Sequence, residues 1–152
     1  MQARAHKIAA RTSFQRRCVR GILQRVMEHL RDTGLDTGET PLSHAVIDDR
    51  YVFVSGLVAA DLPDAAAAIG DVAAETRAVM AGLERLLTRL ELSLGQIVRV
   101  TAHLTDLDEM PAFDSAYAAF FPDGQFPART CVEVSRLVGG CRVEITATAR
   151  RH

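Results

Sequence analysis

Apolar residues recur along the chain with two periods, and the change from one to the other marks out the elements. Val72, Thr76, Val79, Met80, Leu83, Leu86, Leu87 and Leu90 stand three or four positions apart, which lines one face of an α-helix. Asp71 is placed to cap that helix, and Glu75 lies in its first turn, where the positive end of the helix dipole favours a carboxylate. The helix is expected over 71–92. Gly82 sits in its middle at a cost of about 1 kcal/mol against alanine, so close packing of helix on sheet is expected there. A second helix opens in "TDLDEMPAF", with Asp106 or Asp108 as cap and Pro111 confined to the first turn. Its buried stripe is Met110, Phe113, Tyr117 and Phe120.

Elsewhere the period is two. "SHAVIDDRYVFVSGLVA" reads as a hairpin, two β-rich runs flanking Asp48-Asp49-Arg50, and "DLPDAAAAIG" as a loop or weak helical turn. In the strand Ile97–Leu104, Val98, Val100, Ala102 and Leu104 share one face, and Arg99, Thr101 and His103 the other. Along "FPARTCVEVSRL", Arg129, Cys131, Glu133 and Ser135 alternate with Thr130, Val132 and Val134. A final strand over 141–149 has Cys141, Val143, Ile145 and Ala147 as its apolar set, and Gly139-Gly140 suits the positive φ values of a tight hairpin turn before it. The order ββ-α-β-α-ββ predicts an α+β domain, a mixed, mostly antiparallel sheet with two helices packed on one face.

Composition adds an asymmetry. The 152 residues carry a net charge of −1, but residues 1–27 hold seven basic residues and no acid, which leaves 11 basic against 19 acidic in the rest, a net −8. An acidic body argues against nucleic acid as a general partner. Residues 1–30 are expected to be a basic N-terminal arm, helical, disordered or preceding a natural start at Met27, and 31–152 the folded domain. No apolar run is long enough to cross a membrane, and no secretory signal is expected. The three cysteines, Cys18, Cys131 and Cys141, match neither a disulfide framework nor a zinc motif. A reducing, cytoplasmic setting is the simplest reading.

The candidate chemistry lies in the last two strands. If their apolar faces both meet the helices, then Arg129, Cys131 and Glu144 project together from the other side of one hairpin. A guanidinium fork suits a carboxylate or phosphate, and a neighbouring glutamate can position or deprotonate water. A solvated Arg–Glu pair, or a sheet face covered by another subunit, would give the same pattern. Cys131 has no histidine placed to activate it, which argues against a cysteine nucleophile. His44 and His103 are expected on strands, partly exposed or interfacial, and not in a metal set. Ser55, before Gly56, either finishes a strand or donates a hydrogen bond in a site. Asp114 falls opposite the Phe113 stripe, where a solvated role is the default.

Taken in order, "YVFVSGLVAADLP", "ETRAVMAGLERLL", "VRVTAHLTDLDEM", "FDSAYAAFF", "FPARTCVEVSRL" and "VEITATA" resemble the RidA/YjgF family of imine deaminases, also called L-PSP or translation-initiation inhibitors. The likeness covers about 41–149. It implies a chorismate-mutase-like fold assembled as a homotrimer, with active sites between subunits. The implied reaction, which uses no cofactor or metal, is hydrolysis of a 2-imino acid or its enamine, such as 2-aminoacrylate, to a 2-oxo acid and ammonia. By the same resemblance Arg129 grips the substrate carboxylate and Glu144 activates the water. The Cys131 backbone contacts the substrate nitrogen, while Ser55, Gly56, Tyr117 and Asp114 line the pocket. The chain departs from the family at Leu42, where tyrosine is frequent, at Leu57, where glutamine is, and at Asp114, where asparagine is. Alternatives from other classes are a small-carboxylate-binding or chaperone-like trimer and an endoribonuclease or translation inhibitor.

Overall fold

Strands β1 (Glu28–Leu30), β2 (Ala45–Ile47), β3 (Tyr51–Val58), β4 (Ile97–Leu104), β5 (Ala128–Glu133) and β6 (Val143–Arg150) form one sheet in the order β1-β2-β3-β6-β4-β5. The structure is a computed structural model that describes residues 27–152. The expected arm lies outside the described residues up to position 26. Glu28–Leu30, also assigned to that arm, instead pair with β2, so the sheet begins before residue 31.

Helix α1 (Val72–Arg89) lies against β3 and β6, and helix α2 (Met110–Ala118) packs beside it on the same face. α1 has the cap the sequence predicts, whereas α2 starts after Glu109 with no side-chain cap, the expected Asp106 serving the turn before it. The Asp71 carboxylate accepts from Ala74 N at 2.7 Å, and Asp106 accepts from Asp108 N at the 3-10 turn that leads into α2. α1 ends at Arg89, and Glu91 then takes a φ of 60°, which turns the chain off the helix axis before Leu92. The apolar stripes of both helices and the inner face of the sheet make one core, centred on Val79, Leu83, Val100, Phe113 and Ile145. Gly82 meets the side chain of Leu62 rather than the sheet: a Cβ there would lie 2.7 Å from Leu62 Cδ2.

Two corrections to the strand reading bear on function. The bulge in the pairing of β4 with β6, between Ile97 and Arg99, shifts the alternation by one residue. Ile97 is consequently buried, and Val98 is 41 % exposed. More importantly, β5 and β6 are not a hairpin. β5 pairs parallel with β4 through the α2 crossover, and β6 pairs antiparallel with β4 on its other edge. Gly139 and Gly140 do take positive φ values, 65° and 72°, but the segment between β5 and β6 passes across the end of β4 instead of closing on itself. Val134 N donates to Leu104 O, and Thr105 N donates to Arg142 O. Local proximity favoured a hairpin. The better-buried partner for β6 is the pair β3 and β4, which places it in the middle of the sheet with four apolar residues facing the helices.

Candidate functional site

Pairing through β4 decides which side chains share a face, because residues opposite one another in register point the same way. Arg129 stands beside Val100, and Cys131 beside Ala102, both buried residues of the helix-covered face. Glu144 stands beside His103, on the uncovered face. Arg129 and Cys131 therefore do not project with Glu144, contrary to the sequence expectation. The apolar look of Thr130, Val132 and Val134 suggested the wrong inner face: Val132 is 40 % exposed, while Cys131 packs against the core.

On the covered side, β5 is the edge strand, and Arg129 reaches beneath α2. Its guanidinium carbon lies 5.2 Å from the ring centres of both Phe113 and Tyr117. Nη2 is 2.7 Å from Asp114 Oδ1, so Asp114 holds the arginine instead of being simply solvated. This pair lines a cleft of about 410 Å³ with Tyr117, Phe126 and Pro127. The Tyr117 hydroxyl is buried without a hydrogen-bond partner among the described residues. Burial pushes its phenol up to about 12, with Arg129 acting against the rise. Burial likewise raises the Cys131 thiol, again opposed by Arg129, which leaves it a poor nucleophile. The outer edge of β5 is unpaired among the described residues, leaving backbone groups around Cys131 open to a ligand.

On the uncovered side the sequence "SG" is a β-bulge. Between Val54 and Leu57, β3 spends one residue more than β6, which brings Val54 and Leu57 both into the core. The Glu144 side chain lies over the bulge: a Cβ on Gly56 would be 2.7 Å from its Cδ and 3.0 Å from both carboxylate oxygens. That close approach is the physical reason for glycine here. Ser55 Oγ donates to Ser43 O at 2.7 Å and so fastens the preceding loop, leaving only its lone pairs for a ligand. Glu144 and Gly56 line a second cleft, of about 430 Å³, with Thr37, Leu42 and Asp61. Burial raises the Asp61 carboxyl, the Val58 N–H lowers it, and the nearby Glu144 charge raises it further.

Two supports for this half were not legible as such. The Glu75 carboxylate is fully buried and accepts from Gly70 N, Arg142 N and Val143 N at 2.7, 2.8 and 3.0 Å, fixing the chain immediately before Glu144. From sequence it was only a favourable first-turn charge. His44 is also buried, its Nδ1 and Nε2 lying 2.6 and 2.8 Å from the hydroxyls of Thr33 and Thr37, which holds the loop that walls the second cleft. Among the described residues no group of three His, Cys, Asp or Glu could hold a metal, and no helix is long and apolar enough to cross a membrane.

Known proteins show the same arrangement of elements. A 2-iminobutanoate/2-iminopropanoate deaminase of Salmonella typhimurium is 35% identical over 102 residues, 66% of this chain and 79% of that protein. A RutC family protein of Pyrococcus horikoshii is 31% identical over 109 residues, 72% of this chain and 86% of its own. The crystal structure of the YjgF gene product of Escherichia coli superposes with a TM-score of 0.70 at 26% identity, covering 82% of this chain and 99% of that one. Its α+β fold, a six-stranded sheet with two helices, is thus that of known members. The family model described as Endoribonuclease L-PSP matches residues 35–151, and the chain belongs to that family, the RidA/YjgF proteins.

Proposed function

We propose that this protein hydrolyses reactive 2-imino acids, and their enamine tautomers, to 2-oxo acids and ammonia, at sites formed between copies of the chain in a chorismate-mutase-like homotrimer. The observation that carries the reading is the division of the chemistry between two clefts: a guanidinium on one face of the sheet and a carboxylate on the other. The deaminase name of the Salmonella relative supports the reaction. The uncovered sheet face, where Phe53 is 45 % exposed among threonines, supports a second copy as its cover.

In this scheme the substrate carboxylate sits on Arg129. A guanidinium has five N–H donors, so it can serve both Asp114 and a ligand, and the flanking aromatic rings keep its plane fixed. Backbone groups of β5 near Cys131 hold the imine nitrogen. Glu144 of another copy takes a proton from water as the oxygen bonds to the imine carbon and the C=N π electrons move to nitrogen. That proton then passes to the nitrogen, giving a carbinolamine; its hydroxyl proton follows to the same nitrogen by way of Glu144 as the C–N bond breaks with its electrons leaving on ammonia, and the C=O of the oxo acid forms. Asp114 beside the guanidinium weakens the grip on a bare carboxylate compared with an uncharged neighbour.

A coupled assay that generates 2-iminopropanoate or 2-iminobutanoate tests this by ammonia release above the spontaneous rate. Glu144→Gln is expected to lower kcat by about 10²-fold or more. Arg129→Ala is expected to raise KM by roughly 10- to 100-fold, the worth of a charge-assisted hydrogen bond. No acceleration by the wild-type chain across a panel of imines rejects the reaction.

A further inference from the structure

Glu144 has a titratable partner that the reaction scheme above does not use. His103 is its direct neighbour across β4 and β6, and Nδ1 lies 2.9 Å from Glu144 Oε1. The two side chains are 27 % and 26 % exposed, so the pair is largely shielded from water. Nδ1 is buried without an aligned hydrogen-bond partner among the described residues, which leaves the carboxylate contact to compensate its burial. On the same face β4 offers Thr101, β6 Thr146 and β5 Val132, none of them charged. β3 brings Gly56 and Val58 against Glu144. The ionisable group of the second cleft nearest the carboxylate is Asp61, with the buried His44 and Asp36 beyond it. Glu144 thus stands between the His103 imidazole on its own face of the sheet and Asp61 across the cleft.

We infer that His103 is a positioning residue for the imine hydrolysis: its ring holds one oxygen of Glu144 so that the other meets the attacking water, and it shares the proton Glu144 removes until that proton passes to the departing nitrogen. The inference rests on the proposed reaction at this site. Asp61, across the second cleft, offers the Glu144 carboxylate only like-charge repulsion. An imidazole at ion-pair distance offsets that repulsion, and it is the one side chain whose ordinary titration falls near neutral pH. No atom is gained or lost: water supplies the oxygen and two protons, and ammonia carries both protons away.

The test compares kcat and KM of the wild type, His103→Phe and His103→Gln from about pH 6 to 9, where an imidazole changes charge. His103→Phe is expected to lower kcat about tenfold or more while KM moves less than about twofold, and to flatten the pH dependence of kcat. His103→Gln keeps an N–H donor but cannot titrate, so it should recover part of kcat and leave the profile flat. A phenylalanine variant with the wild-type rate and profile overturns the inference. So does one whose kcat falls while the profile keeps its shape, since that is what a packing role would give. A second readout does not depend on turnover. The nitrogen resonance of His103 Nδ1 at pH 7 should shift in Glu144→Gln. An unchanged resonance refutes the coupling even if the wild type proves active, and a shifted one upholds the pair even if no imine is turned over and the proposed reaction falls.

Discussion

Tyr117 carries a hydroxyl that the fold leaves unsatisfied. The ring stacks on Phe113, with centroids 5.5 Å apart, and lies under the Arg129 guanidinium, while its oxygen has no partner among the described residues. A buried, unpaired hydroxyl costs stability and is retained where a ligand completes it. Tyr117→Phe is therefore expected to melt at the same or a higher temperature, a gain of up to about 1 kcal/mol, while KM for the imine rises. The alkaline side gives an independent check. Well below pH 10.0 the phenol is neutral whether the chain is folded or not; as pH rises through 10.0 toward about 12 the unfolded chain gives up this proton and the folded one keeps it. Stability should fall across that window as pH rises, and the difference between wild type and Tyr117→Phe in denaturant titrations isolates the tyrosine. A variant that is less stable at neutral pH and binds ligand unchanged would remove the hydroxyl from the site.

At the scale of elements, two glycines meet neighbours equally closely with opposite consequences. Gly82 on α1 faces Leu62, itself buried in an apolar cluster, so Gly82→Ala should lose roughly 1–3 kcal/mol by overpacking and leave kcat unchanged. Gly56 on the β3 bulge faces the movable end of Glu144, and its φ is not positive, so Gly56→Ala should change stability by less than about 1 kcal/mol yet lower kcat by displacing the carboxylate. Thermal melts alongside imine turnover separate the two; a Gly56→Ala enzyme at full rate would break the link between bulge and site. These elements also show what could be read from the chain. The 3.6-residue stripe and Asp71 located α1, and alternation located β4 and β6, because periodicity reports burial within one element. It does not report which strands pair. Gly139 and Gly140 have the positive φ that their sequence implies, yet β4 is inserted between β5 and β6, a choice made by tertiary packing. The error then spread to the site: with β5 on the far edge of β4, the covered face is the one bearing Arg129, whose charge is accommodated by Asp114 and two aromatic rings from α2. No spacing rule within "FPARTCVEVSRL" contains that information.

For the whole molecule, the position of β4 has a consequence for assembly. Arg129 and Glu144 are carried by strands two inter-strand spacings apart, about 10 Å, and by opposite faces of the sheet. One chain cannot bring both to the same substrate. In the proposed homotrimeric ring, the β5 edge of one chain would meet the uncovered face of the next, and every copy would give a guanidinium to one site and a carboxylate to another. Such a ring should elute at roughly three times the 16.6 kDa chain mass. It should also permit complementation between two impaired proteins. Arg129→Ala retains Glu144, and Glu144→Gln retains Arg129; refolded together in equal amounts, they place an intact pair at about a quarter of the sites by random assortment around the ring. The mixture should then recover about a quarter of wild-type kcat/KM per site, measured by ammonia release at substrate well below KM, where each variant alone has lost most of its activity. The refolded mixture must be compared with the same proteins refolded apart and then combined, since recovery requires exchange of chains. Activity no greater than that of the unmixed variants, in a mixture shown by mass spectrometry to contain hybrid rings, would mean that the two residues do not serve one site across the subunit boundary.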